Sequence, residues 1–443
     1  MSVIEIPRAM LNPIVRVRRR TTRYHLLRVR DVRHFVALIA VGNVAGAIST
    51  LALAQVVVFQ ISHGASRATI AQALLAMSLP SLVAAPLAGI ACDRWDRRRV
   101  LRDCHIGRAV LTAAAVAVPI LGSSHLGFIL TSVLLGLTAM TTTTRATALP
   151  HMVDPDQLLH ANSLLSVTAK VAGSTGFLVG AVLLWWSPIT ALLFAAALQA
   201  SVALGWTRFA HDLGGRCVVG AHHCWSGAAR RIARLATSGP TRRAIITSAT
   251  LRAATGGAFV SLLLWVDARL DVSAAGYAVV LSVAGTGSLI GTLITPLVAG
   301  RLGRRTTVST AFVLSASTCL LAGVLPMEAT VVAAAFTTSL VMQVVRLLAD
   351  STVQRAIADD ALGRVYSLYE MSYTVAFLIG ALGLLALNTS MPSTRFLIVS
   401  AVAVLGALGQ CWPPLTQHHA NTADLDSPTR TNPFRRSPRR VPC

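Results

Sequence analysis

Ionisable side chains set inside long apolar runs are the residues of this chain whose types allow chemistry. Glu370, Arg252 and Lys170 each fall several residues inside such a run. Burying any of them alone in a membrane is costly enough to require a partner or water, so all three are candidates for a polar cavity. Glu370 is the one carboxylate placed clearly inside a span. Burial favours the protonated form of a carboxylate that no cation neutralises, which makes Glu370 a candidate proton carrier. A static ion pair with Lys170 or Arg252 is the competing reading. Arg252 reads equally as the holder of an anionic substrate or as structure, and Asn43 is a polar residue placed to face a cavity or to bond a neighbouring helix.

A second group of charges stands at 89–101, where Gly89, Asp93, Arg94, Arg97, Arg98 and Arg99 interrupt apolar sequence. So dense a cationic knot cannot sit in a bilayer, and it is expected to be a short turn between two membrane helices on the cytoplasmic side. Asp93 is the one acid set beside several arginines there, where a charge-assisted pair is stronger than in open water. The arginines read first as topology signals and headgroup anchors. Arg145, Arg346 and Asp350 fall at the cytoplasmic ends of their spans, where snorkelling is favoured over a gate network.

The elements that must position these groups follow from composition. With 54% hydrophobic and 13% charged residues and a mean hydropathy of +0.64, the chain lies outside the range of soluble globular proteins. Its apolar segments are Leu, Val, Ala and Ile runs of helical length, not ten-residue alternations, so an all-α integral membrane fold is expected over a barrel. Spanning runs fall at about 36–59, 69–91, 106–122, 127–149, 164–186 and 189–206, and again at 244–266, 274–299, 307–325, 329–348, 365–387 and 396–412. Twelve helices in two six-helix bundles follow. The expected division is a basic N-terminal tail (1–34), a first bundle (35–206), a cytoplasmic linker (207–242), a second bundle (243–411) and a disordered tail (412–443).

The formal charge of +22 suggests nucleic acid at first sight, but the basic residues fall in alternate gaps between spans rather than on one surface. That asymmetry places both termini in the cytoplasm and leaves anionic lipid headgroups as the partner of the charge, with no nucleic acid. Seven cysteines imply no disulfide framework. Within the linker, 225–235 sets apolar residues opposite arginines as an interfacial helix would. Cys217, His222, His223 and Cys224 are metal-ligand types at a non-standard spacing, and no metal is expected. Without a phosphate loop or a nucleophile elbow, neither ATP coupling nor enzymatic chemistry is expected.

The halves repeat. Asp93-Arg94-Trp95-Asp96-Arg97-Arg98 aligns with Gly300-Arg301-Leu302-Gly303-Arg304-Arg305, and Asn162-Ser163-Leu164 with Tyr366-Ser367-Leu368, at nearly the same offset. Two pseudo-symmetric halves with the same turn are related by an axis along the membrane normal, with a substrate site between them near the midplane.

Gly89-Ile90-Ala91-Cys92-Asp93-Arg94-Trp95-Asp96-Arg97-Arg98 resembles the loop signature G-x-x-x-D-R-x-G-R-R of the major facilitator superfamily. Arg30-Asp31-Val32-Arg33, Asn43, Pro86-Leu87-Ala88-Gly89 and Leu158-Leu159-His160-Ala161-Asn162-Ser163 resemble its enterobactin-exporter and macrolide-efflux branch. The resemblance implies gating at Gly89, Asp93, Arg94, Arg97 and Arg98 and at Arg301, Arg304 and Arg305, with Asp93 bridging to helix eleven near Arg364. Three features depart from the family pattern: Asp96 replaces a glycine, span four lacks an early arginine, and span five lacks the efflux proline. Gly173, Gly176 and Gly180 keep the small residues that permit close helix packing. A monomeric secondary transporter in the cell membrane is expected. It would export a small amphiphilic compound in exchange for protons, with no cofactor beyond the proton gradient. Uptake, uncoupled transport and a non-transporting sensor are the alternatives.

Overall fold

The structure, a computed structural model, describes residues 26–58, 67–121, 124–215, 233–237, 239–269, 274–387 and 392–411. Within each half, long helices follow one another with short connections. The first half holds α1 (Arg30–Val58), α2 (Arg67–Arg94), α3 (Arg97–Ala114), α4 (Ser124–Ala148), α5 (Leu158–Trp186) and α6 (Pro188–Thr207). The second holds α7 (Gly239–Arg269), α8 (Ala274–Leu302), α9 (Arg304–Val324), α10 (Glu328–Ala356), α11 (Asp359–Ala386) and α12 (Pro392–Cys411). Among the described residues eleven helices are long and apolar enough to cross a membrane, and the shorter apolar stretch Thr394–Gly409 of α12 makes the twelfth. The fold is all-α and membrane-spanning.

Several helices run well past the apolar stretches that predict them. α3 begins at Arg97 rather than near 106, and α10 continues to Ala356 rather than ending near 348. Apolarity stops where the membrane stops, but backbone hydrogen bonding continues as long as the helix ends are satisfied. At α3 that is done by Asp96, whose carboxylate accepts the Arg98 N–H at 2.9 Å as an N-cap; this explains an acid where the loop pattern has glycine. The matching position in the second half is Gly303, whose φ of 78° turns the chain without a side-chain cap.

The packing repeats between halves. α1 packs on α5 and α6, α2 on α4, and α3 on α6; α7 packs on α11 and α12, α8 on α10, and α9 on α12. Close backbone approach is built with glycine in both. A Cβ at Gly176 or Gly180 of α5 would meet the backbone of α1 at Val44 or Ile48, and one at Gly380 of α11 would collide with Ala253 of α7. Gly173 is a correction: a Cβ there meets nothing within 4 Å.

The two halves meet chiefly where α2 lies along α11, and less extensively where α5 meets α8 and α10. Among the described residues the arginine-rich turns at 94–99 and 301–305 lie at one end of the bundle, the basic end. Trp185 and Trp186 stand exposed at the opposite end of α5, as residues at a membrane–water boundary do. The tail 412–443, the residues Cys217, His222, His223 and Cys224 and most of the expected interfacial helix at 225–235 lie outside the described residues; at the linker's end Leu235 packs against the cluster that holds Val353 and Tyr366.

Gly176→Leu is expected to lower the melting temperature of the purified protein, because overpacking costs about 1–3 kcal/mol. Gly173→Leu is expected to leave it unchanged, both read by tryptophan fluorescence during heating.

Candidate functional site

At the basic end the halves are joined by hydrogen-bonded charges. Asp93, at the end of α2 and 5% exposed, accepts the backbone N–H of Gly363 at 2.7 Å and that of Arg364 at 3.2 Å. Its other contact is the Arg364 guanidinium, with Nε at 2.8 Å. A buried carboxylate near a helix N-terminus, holding three N–H donors, is well compensated. Gly89 permits the approach: a Cβ there would run into Ser367 and the Gly363 carbonyl of α11.

Arg97 completes the tie. Fully buried, it pairs with Asp359 at 2.7 Å and donates to the carbonyls of Cys92, Thr147 and Leu213. Asp359 also receives His151 at 2.8 Å. Beside them Asn162 donates to Gln354 at 2.6 Å, and Ser163 of α5 donates to the Thr292 carbonyl of α8 at 2.7 Å. Arg97 is therefore not a headgroup anchor, because the Asp359 carboxylate and three backbone carbonyls claim its guanidinium. Arg98 reaches the Phe209 carbonyl at 2.7 Å, while Arg94 is exposed. In the second copy, Arg304 donates to Ser351 and Thr352 within its own half, and Arg301 and Arg305 are exposed.

Deeper in the bundle, charges from both halves converge. Lys170, Arg252, Arg346 and Glu370 lie 10 to 13 residues in from the basic end of their helices. At 1.5 Å per residue that is roughly 15–20 Å, the middle of a bilayer. Arg346 bonds Glu370 and lies 3.9 Å from Asp350, which also accepts the Tyr366 hydroxyl at 3.2 Å. The Arg346 guanidinium stands 4.3 Å from the centre of the Tyr373 ring. Arg252 lies 4.4 Å from the same centre and 4.5 Å from that of Phe377. Side chains of Arg346 and Glu370 remain 20% and 17% exposed, so they line a space rather than fill a core.

These contacts correct two expectations. Glu370 pairs with neither Lys170 nor Arg252 but with Arg346, one helix over, where the side chains of neighbouring helices reach each other. Arg346 does not snorkel to the membrane edge, because Glu370 and the Tyr373 face hold it inward. Lys170 instead donates to Gln343 at 3.4 Å across the halves. Asn43 bonds the Ile39 carbonyl of its own helix at 2.7 Å, so its polarity is spent locally. Sequence reading missed Arg108, 7% exposed in α3 with its guanidinium against Gly46 of α1. Its position 11 residues inside a helix was the available signal, obscured because the apolar run begins only just before it.

Paired six-helix halves whose charges meet between them are the build of a membrane transporter. The model of the Major Facilitator Superfamily matches residues 34–213 and 244–439, and the chain belongs to that family. An uncharacterized MFS-type transporter of Mycobacterium tuberculosis is 25% identical over 80% of this chain and 82% of its own length, as is its Mycobacterium bovis counterpart. Among solved structures, the human organic anion transporter MFSD10 superposes with a TM-score of 0.69 at 17% identity, covering 86% of this chain and 99% of that one. A bacterial homologue of the iron transporter ferroportin, in an outward-facing state, gives 0.62 at 16% identity over 86% and 97%. The Escherichia coli fucose:proton symporter gives 0.62 at 13% over 85% and 98%.

Asp93→Asn removes the charge from three hydrogen bonds, each worth about 1.5–3 kcal/mol when charged. Cys92, fully buried beside it, is then expected to react with thiol reagents about tenfold faster, measured by peptide mass mapping.

Proposed function

We propose that this transporter is a secondary active exporter of a small amphiphilic compound, of the enterobactin-exporter and macrolide-efflux kind, driven by proton exchange. It acts as a monomer in the cell membrane, with the basic end and both termini in the cytoplasm, where the arginine-rich turns meet anionic headgroups. The observation that carries this reading is the meeting of titratable groups from both halves at mid-depth. Glu370 is held by Arg346, while Arg145 of α4 lies within electrostatic reach of both. Rocking the halves changes the charges that Glu370 faces, and a proton on Glu370 releases Arg346. Such a linkage is what couples a proton to alternating access. At the basic end Asp93 and Arg97 act as the gate, since their bonds join α2 and α3 to α11 and must break for that end to open.

Uptake together with a proton is the second reading. It is favoured by one feature of the pair: Glu370 and an anionic ligand compete for Arg346, so a proton and an anion bind together and travel the same way.

The test uses purified protein in proteoliposomes with an imposed pH gradient and a panel of amphiphilic compounds. Transport that ignores the gradient rejects proton coupling, and the sign of proton movement separates exchange from co-transport. Glu370→Gln is expected to move compound down its own gradient while losing the response to pH. Asp93→Asn is expected to slow transport several-fold with normal membrane insertion; an unchanged rate returns the loop to being an anchor.

A further inference from the structure

The mid-depth cluster is not electrically balanced. Arg346 is shared by Asp350 and Glu370, which leaves those two carboxylates facing one guanidinium. Four further cations lie nearby, three of them beside the ion-paired groups and Arg108 behind Arg145. Arg145 lies within electrostatic reach of Arg346, Glu370 and Asp350, Lys170 within reach of Arg346 and Arg145, and Arg108 within reach of Arg145. Arg252 shares the Tyr373 ring with Arg346. Five cations against two carboxylates leave three positive charges uncompensated among the described residues.

The surplus cations are also short of hydrogen bonds. Arg252 is held by the faces of Tyr373 and Phe377 rather than by an acid, and its Nε is buried without a partner. Lys170 has a single long bond of 3.4 Å, to the neutral Gln343. Stacking fixes a guanidinium in place and leaves its edge N–H groups free, which is the geometry for bidentate recognition of an oxyanion. Uncompensated charge in a low-dielectric bundle is unfavourable unless water or a counter-ion fills the space. Phe259 packs against Phe377 with ring centres 6.0 Å apart, and Tyr369 adjoins Tyr373, so apolar wall continues on either side of the cation.

We infer that the space between the halves binds the anionic oxyacid group of an amphiphile, a carboxylate, sulfonate or phosphate, with Arg252 and Lys170 as its anchors and the Tyr373–Phe377 wall against its apolar body. The inference rests on the transport reading above for the place of the site and adds the charge of the ligand. Arg252 and Lys170 belong to different halves, so replacing each alone tests whether both reach the anion. The same chemistry is offered by a free organic anion and by the phosphate of an anionic lipid.

The test is equilibrium dialysis of the full chain in phosphatidylcholine nanodiscs with three probes of one ring system: a naphthalene sulfonate, uncharged naphthol and a naphthylammonium. The sulfonate is expected to bind at least about tenfold more tightly than either of the others, because only it makes charge-assisted hydrogen bonds to a cation. Arg252→Gln and Lys170→Gln are each expected to remove most of that preference, and a melting temperature within a few degrees of the parent protein's shows that the variants are folded. Tighter binding of the naphthylammonium, or sulfonate binding indifferent to both variants, overturns the inference. Loss of sulfonate binding when phosphatidylglycerol replaces phosphatidylcholine assigns the site to a lipid phosphate and supports the anion chemistry. Sulfonate binding without flux in proteoliposomes defeats the transport reading and leaves the anion site standing. Flux of naphthol or naphthylammonium without sulfonate binding does the reverse.

Discussion

A charge inside an apolar helix bundle has no bulk water to solvate it, so every ionisable group there must find a partner within reach of its side chain. That constraint shapes both sites of this transporter. At the basic end it is met in full: Asp93 collects three N–H donors from α11, and Arg97 is matched by Asp359 and a set of carbonyls. Those bonds hold the seam between α2 and α11, along which the halves are most closely joined. At mid-depth it is met only in part, where Arg346 serves two carboxylates and the other cations lean on aromatic faces and a glutamine. The contrast separates a closed junction from a space that still has electrostatic work to do.

Duplication explains the scaffold, and divergence between the copies explains the sites. Both halves use the same helix pairings, and both bring paired helices together over glycine. Yet Arg97 and its counterpart Arg304 have different tasks. Arg97 reaches across to Asp359 of the other half, whereas Arg304 bonds Ser351 and Thr352 within its own. The difference follows from the neighbouring residue, since Asp93 ties α2 to α11 and brings Asp359 within range, while Gly300 has no side chain to make such a tie and a Cβ there would meet nothing within 4 Å. A two-fold architecture thus carries a one-sided tie.

Apolar runs, arginine gaps and the repeated turn were enough to read twelve helices in two matched halves, because in a bilayer hydrophobicity must persist for the whole crossing. Asp93 was legible as special for a local reason, being an acid set directly before the arginines of a cationic turn. Arg252, Lys170 and Glu370 stood out for the same reason inside spans. What they touch was not legible. Sequence offers Glu370, besides a proton-carrying role, the deeply placed Lys170 or Arg252 as static partners, and it sets Arg346 at the membrane edge because the apolar run ends near it. The helix in fact continues, and Arg346 turns inward.

Sequence alone therefore determined the fold class, the duplication and which side chains carry charge into the membrane, since each is a property of one segment and its length. Tertiary structure decided the partners: that Asp359 meets Arg97, that Tyr373 lies between two arginines, that Gly173 faces open space while Gly176 touches α1. Partnership depends on how helices distant in the chain are rotated about their axes, and a rotation of 100° per residue turns a one-residue uncertainty in a helix's register into a different neighbour. The balance of charge between the halves is a sum over such partners, so it too existed only once the helices were packed.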